Sequence, residues 1–132
     1  MRILAFFKQP PEFVNFCIAE LKSLFALHNI PHWEVFDLTP EQTELVKEKP
    51  YMLNKDLFPS FPFVYIKSHH DFDLLRSIMK RSLLLKYFVR VFSEGNNIEE
   101  LIQNVDKEEI AYFMETQETF SFTIDAVNRW YQ

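Results

Sequence analysis

LLRSIMKRSLLLKYFVRVFS, residues 74–93, holds Arg76, Lys80, Arg81, Lys86 and Arg90 without one acidic residue, and its hydrophobic period changes part-way along. Phe72, Leu75, Ile78, Met79 and Ser82 recur at helical spacing, with Asp71 placed to cap the helix. From Leu83 to Phe92 the residues alternate as a strand does, with Leu85, Tyr87, Val89 and Val91 on one side and Lys86, Phe88, Arg90 and Phe92 on the other. A helix therefore runs into a strand at a corner near Ser82. The apolar set is expected to face the helices and the cationic, aromatic set to face outward. The remaining chain is acidic: without those five cations, nine Lys and Arg stand against 19 Asp and Glu. Such an island marks a place where an anion or another domain is met, or simply a solvated face.

Upstream, RILAFFK (residues 2–8) is a short apolar run stopped by Gln9-Pro10-Pro11, which predicts a first strand ending in a turn. Phe13, Phe16, Cys17, Leu21, Leu24, Phe25 and His28 then follow helical spacing, so a helix is expected to end near Asn29, with Pro31 beyond it. HWEVFDL (residues 32–38) alternates well enough for a second strand. Residues 41–59 read as a long surface connection, within which residues 39–49 can form a short helix. FPFVYIK (residues 61–67) is a third strand with Pro62 near its start. Downstream of Gly95, Asn97 can cap a helix with Leu101, Ile102 and Val105 inward, the pattern resumes weakly over residues 107–114, and Phe120, Phe122, Ile124 and Ala126 alternate as a final strand.

The order strand, helix, strand, strand, helix, strand predicts an α+β fold of the ferredoxin-like βαββαβ kind. Its antiparallel sheet carries both helices on one face and leaves the other open. Residues 1–95 form this domain, and residues 96–132 read as the opening of a second.

Composition removes several chemistries. Gly95 is the single glycine, so a P-loop, a dinucleotide fingerprint and a glycine-rich S-adenosylmethionine loop cannot be built. Cys17 is the single cysteine, which excludes a disulfide framework and a thiolate zinc cluster and fits a reducing compartment. No apolar run reaches the ~18 residues of a membrane span. The chain is expected to be soluble and intracellular.

Gln9-Pro10-Pro11-Glu12 carries the double proline of a methylase loop but neither of its flanking residues, and a helix start explains it. His69-His70-Asp71 has metal-ligand types without a further ligand cluster, so it reads as a solvated loop. Cys17, on the inner helix face, reads as a small apolar residue. No catalytic site is legible. On the open face, Phe63, Tyr65 and Lys67 are expected to join Lys86, Phe88, Arg90 and Phe92. Rings interleaved with cations are what single-stranded RNA recognition requires, and the RRM has the same element order. The same face can equally pack on a protein partner or on the rest of a larger protein.

Glu12-Phe13 with Ala19-Glu20-Leu21-Lys22-Ser23-Leu24, Pro62-Phe63, Ile78-Met79-Lys80-Arg81-Ser82 and Phe92-Ser93-Glu94-Gly95, leading into Ile98-Glu99-Glu100-Leu101, occur here in one order. In that order they resemble the N-terminal region of the eukaryotic tRNA guanine-N2-methyltransferases that modify guanosine 10. Thr119-Phe120-Ser121-Phe122-Thr123-Ile124 falls where that family begins its THUMP sheet. The resemblance implies a ferredoxin-like domain followed by only the opening helix and strand of the THUMP RNA-binding domain. It further implies a cytoplasmic, non-catalytic module that handles tRNA. S-adenosylmethionine and a small zinc-binding activator protein would belong to the methylase domain that this chain lacks. Arg76, Lys80, Arg81, Lys86, Phe88 and Arg90 are the residues expected to contact RNA or a neighbouring domain.

Overall fold

A computed structural model describes residues 2–108, 110 and 111. The chain divides into two compact units, Met1–Arg90 and Val91–Gln132. The fold is α+β, and its centre is a three-stranded antiparallel sheet in the order β2-β1-β3, formed by β1 (Arg2–Phe7), β2 (Phe63–Ile66) and β3 (Leu85–Val91). Between the strands lie α1 (Val14–Ala26), α2 (Pro40–Glu48) and α3 (Phe72–Arg81). None of the described helices is long and apolar enough to cross a membrane.

β1 is central because it buries both of its neighbours' edges and most of its own side chains. It pairs with β2 through Ile3 with Ile66, Leu4 with Tyr65, Ala5 with Val64 and Phe6 with Phe63. The first and third of these pairs, with Phe7, join Cys17, Ile18, Leu21 and Phe25 of α1 and Leu75 and Ile78 of α3 in one core. Phe7, Phe25 and Phe36 are fully buried within it, each worth about 1.5–3 kcal/mol by area removed from water.

α3 starts where its sequence predicts. Asp71 accepts a hydrogen bond from the Asp73 amide at 2.9 Å, while Lys80 and Arg81 occupy the last turn, where cations meet the negative end of the helix dipole. Thr39 and Gln42 form a reciprocal capping box on α2. α1 is terminated by Asn29, whose φ of 61° is a left-handed conformation that Asn tolerates better than most residues. Phe13 and Phe16 do not belong to the inner face of α1. They are 42% and 66% exposed, and Val14 and Ile18 take their places. Phe72 likewise sits 43% exposed at the start of α3, where Leu75 and Ile78 are the buried pair.

The expected second strand is reduced to a single bridge, Phe36 to Ile66, with backbone hydrogen bonds from Asp37 to Tyr65 and from Lys67 to Val35, each 3.0 Å. The four-stranded βαββαβ sheet is thus three strands plus this contact. Residues His32–Glu34 wind instead into a 3₁₀ turn behind Pro31. Val35 and Phe36, which follow that turn, are both wholly buried. Two imidazoles tie the segment down. His32 Nε2 lies 2.8 Å from the Val46 carbonyl, and His70 Nε2 lies 2.8 Å from the Glu34 carbonyl. A carbonyl can only accept, so both nitrogens carry the proton. His70 is therefore not part of a solvated loop: it is 8% exposed, its ring packs 5.1 Å from Phe25 and 4.3 Å from His69.

The corner between α3 and β3 is held from α1. Glu20 accepts from the Ser82 hydroxyl, from the Leu83 amide at 3.0 Å and from the Leu84 amide at 3.2 Å, and Ser82 Oγ in turn accepts from the Leu85 amide at 2.9 Å.

In the second unit, α4 (Ile98–Gln103) is capped by Asn97, whose side chain accepts from the Glu100 amide at 2.9 Å. A Cβ at Gly95 would stand 2.7 Å from the Glu100 Cβ, so glycine is required by that close approach. Ile98, Leu101 and Ile102 are exposed among the described residues. The strand expected at Phe120–Ala126 lies outside the described residues.

Two outcomes follow from these ties. Glu20→Ala leaves two amides of the corner without their acceptor and is expected to lower stability by about 1–3 kcal/mol in urea denaturation. Burial, ahead of every other influence, lowers the His70 pKa below its ordinary 6.5. The unfolded chain therefore takes up the proton first: stability is complete above pH 6.5 and falls as pH drops below it, until the folded ring also protonates. His70→Gln, which keeps an N–H for the Glu34 carbonyl, should flatten the urea midpoint between about pH 5 and 7 relative to the parent.

Candidate nucleic-acid interface

Alternation along β1 and β2 places Ile3, Ala5, Phe7, Val64 and Ile66 in the core and leaves Leu4, Phe6, Phe63 and Tyr65 on the opposite side of the sheet. On that side aromatic rings run across all three strands. Phe6 stacks on Phe63 with centroids 5.0 Å apart and planes 27° apart, and meets Tyr87 at 5.2 Å and 47°. Phe6, in the middle, is only 5% exposed, whereas Phe63, Tyr65 and Tyr87 are half-buried.

Cations lie over these rings. The Arg2 guanidinium is 3.8 Å from the Tyr65 centroid, and Lys86 Nζ is 5.2 Å from Phe6 and 5.1 Å from Tyr87. Each contact of this type is worth about 0.5–2 kcal/mol, depending on how far it is removed from water. A carboxylate, Asp37, borders the Phe63 and Tyr65 end, where a cavity of about 190 Å³ opens beside Phe58.

The six residues expected to act together are distributed over three places. Lys86 alone reaches the aromatic face. Arg76, Phe88 and Arg90 line a groove of about 270 Å³ between α3 and β3, with Phe72, Leu75 and Met79 as its apolar wall. There Arg76 is ion-paired to Asp73 at 2.9 Å, and the Arg90 guanidinium lies 5.5 Å from the Phe72 ring. Lys80 and Arg81 close the last turn of α3.

The expected outward face of β3 is thereby corrected. Phe88 packs against the core and Arg90 lies beside α3, whereas Tyr87 turns to the aromatic side. Strict alternation fails between Leu85 and Phe88: both touch the core, and the two residues between them, Lys86 and Tyr87, both meet Phe6. Arg2, Phe6 and Tyr87 are the members of the face that sequence reasoning missed. For β1 a signal existed, because Arg2, Leu4 and Phe6 alternate with Ile3, Ala5 and Phe7.

No group of three or more metal-ligating side chains is found among the described residues. Cys17 is wholly buried, and burial, with a smaller contribution from Glu20, pushes its thiol up to about 11, so it is a packing residue rather than a nucleophile. Comparison of the chain with family models, with curated proteins and with solved structures finds no match.

The break in alternation predicts an order of sensitivity. Phe88→Ala should cost about 2–4 kcal/mol of stability, and Tyr87→Ala clearly less, as measured by thermal or urea denaturation. The reverse order would restore the regular alternation of β3.

Proposed function

We propose that this chain is a non-catalytic, cytoplasmic tRNA-handling module of a tRNA guanine-N2-methyltransferase, helping to position the substrate for a methylase domain outside this sequence. The observation that carries the reading is the sheet face on which Phe63, Phe6 and Tyr87 form a continuous aromatic row under Lys86, with Arg2 over Tyr65. Rings and cations together suit an RNA ligand, since rings accept bases and cations neutralise phosphates. The sequence resemblance to the N-terminal region of that enzyme family points the same way. In this reading S-adenosylmethionine and the zinc-binding activator are partners of the methylase domain, and the present chain contributes only substrate binding and placement.

A second reading is a protein-interaction domain. It is favoured by large apolar side chains left at the surface, among them Phe16 at 66% and Tyr51 at 79% exposure, and by the net charge of −5, which repels nucleic acid overall.

Filter binding of tRNA to the chain, titrated with salt, separates the two. A module contacting two to four phosphates should give log K falling against log salt with a slope of roughly −2 to −4. Absence of tRNA affinity at low salt, together with concentration-dependent self-association in static light scattering, would replace the RNA reading with the interaction domain.

A further inference from the structure

We propose that the aromatic side of the sheet is a stacking platform for unpaired RNA bases, so that the module takes single-stranded rather than duplex segments of its substrate; this rests on the tRNA-handling reading above. The geometry that points to it is the half-buried state of Phe63 and Tyr87 on either side of the buried Phe6, at 5.0 and 5.2 Å. Phe6, on the central strand, packs against both outer rings, each of which keeps part of its surface exposed to another π-system. A paired duplex cannot use such rings, because its bases already stack on one another and only its edges and backbone are presented. An unstacked base can.

Charge selects the same ligand. On a chain of net charge −5, phosphates are drawn in only where cations stand close by, and Lys86 lies within about a ring's width of both Phe6 and Tyr87. Arg2, over Tyr65, can stack on a base through its planar guanidinium as well as meet a phosphate. A ligand with a flat π-face and an anionic group on each unit answers both features, and a single RNA strand is such a ligand. With few cations on the face, stacking should contribute more of the affinity than phosphate contacts do.

The test uses the 132-residue chain with a fluorescein-labelled oligouridine and a fully paired RNA duplex of equal length, read by fluorescence anisotropy. Oligouridine is expected to bind at least about tenfold more tightly than duplex, and Tyr87→Ser and Phe63→Ser each to weaken it by about 5- to 100-fold. Lys86→Glu, at an exposed position that should fold normally, is expected to weaken binding and to reduce the salt slope by about one. Circular dichroism of each variant separates lost binding from lost folding, and Lys86→Glu decides if the ring variants do not fold. Equal or tighter binding of duplex overturns the platform, as does oligouridine affinity unchanged in these variants. If tRNA still binds in that case, the handling role survives without the stacking site. If no RNA binds at all, both fall, and capture of a glutamate–tyrosine copolymer by the same rings would assign the face to an acidic protein partner.

Discussion

The Glu20 carboxylate is the tie on which the sheet depends. It sits on α1, yet its acceptors hold the hydroxyl of Ser82, 62 residues away, and the amides of Leu83 and Leu84. A carboxylate can accept several hydrogen bonds, and bonds to an ionised acceptor are stronger than neutral ones. By gathering these donors it ends α3, turns the chain and sets the point at which β3 begins. Everything that β3 offers to either side of the sheet follows from that starting point.

β3 enters with Leu85 in the core, and two residues then share one face before Phe88 returns to the core. Tyr87 and Lys86 consequently meet Phe6, and the aromatic row is completed from a third strand. Phe88 and Arg90 go instead to the α3 side, where Arg90 covers Phe72 and Arg76 is occupied by Asp73. The cationic island of the sequence is thus a linear coincidence. In space it is one cation at an aromatic surface, a pair of arginines along a groove and two residues at a helix end.

The opposite edge of the sheet shows a different constraint. Behind Pro31 a 3₁₀ turn takes the place of a regular strand, and backbone carbonyls there and on α2 are met by imidazoles from His32 and His70. A carbonyl turned away from water needs a donor, and burial, which lowers the His70 pKa, lets that ring supply one without a charge. The result keeps the segment beside β2 through a single bridge while freeing it from strand geometry.

Much of this fold was legible in the sequence because local chemistry determines it. Asp71 and Asn97 act on amides within a turn of themselves, the helical periods of α1 and α3 mark the core-facing Cys17, Leu21, Phe25, Leu75 and Ile78, and the short run RILAFFK reads as a strand. Which face of a strand is buried is not local in that sense. For β3 it depended on a bond from α1 to the corner at Ser82 and on one interruption of a two-residue period, and neither leaves a mark in the order of amino acids around Lys86. Sequence determined the elements, their caps and the residues available to the core. The tertiary structure alone decided that Tyr87 rather than Phe88 joins Phe6, because side chains far apart along the chain had to be packed against one another before either face of β3 had a direction.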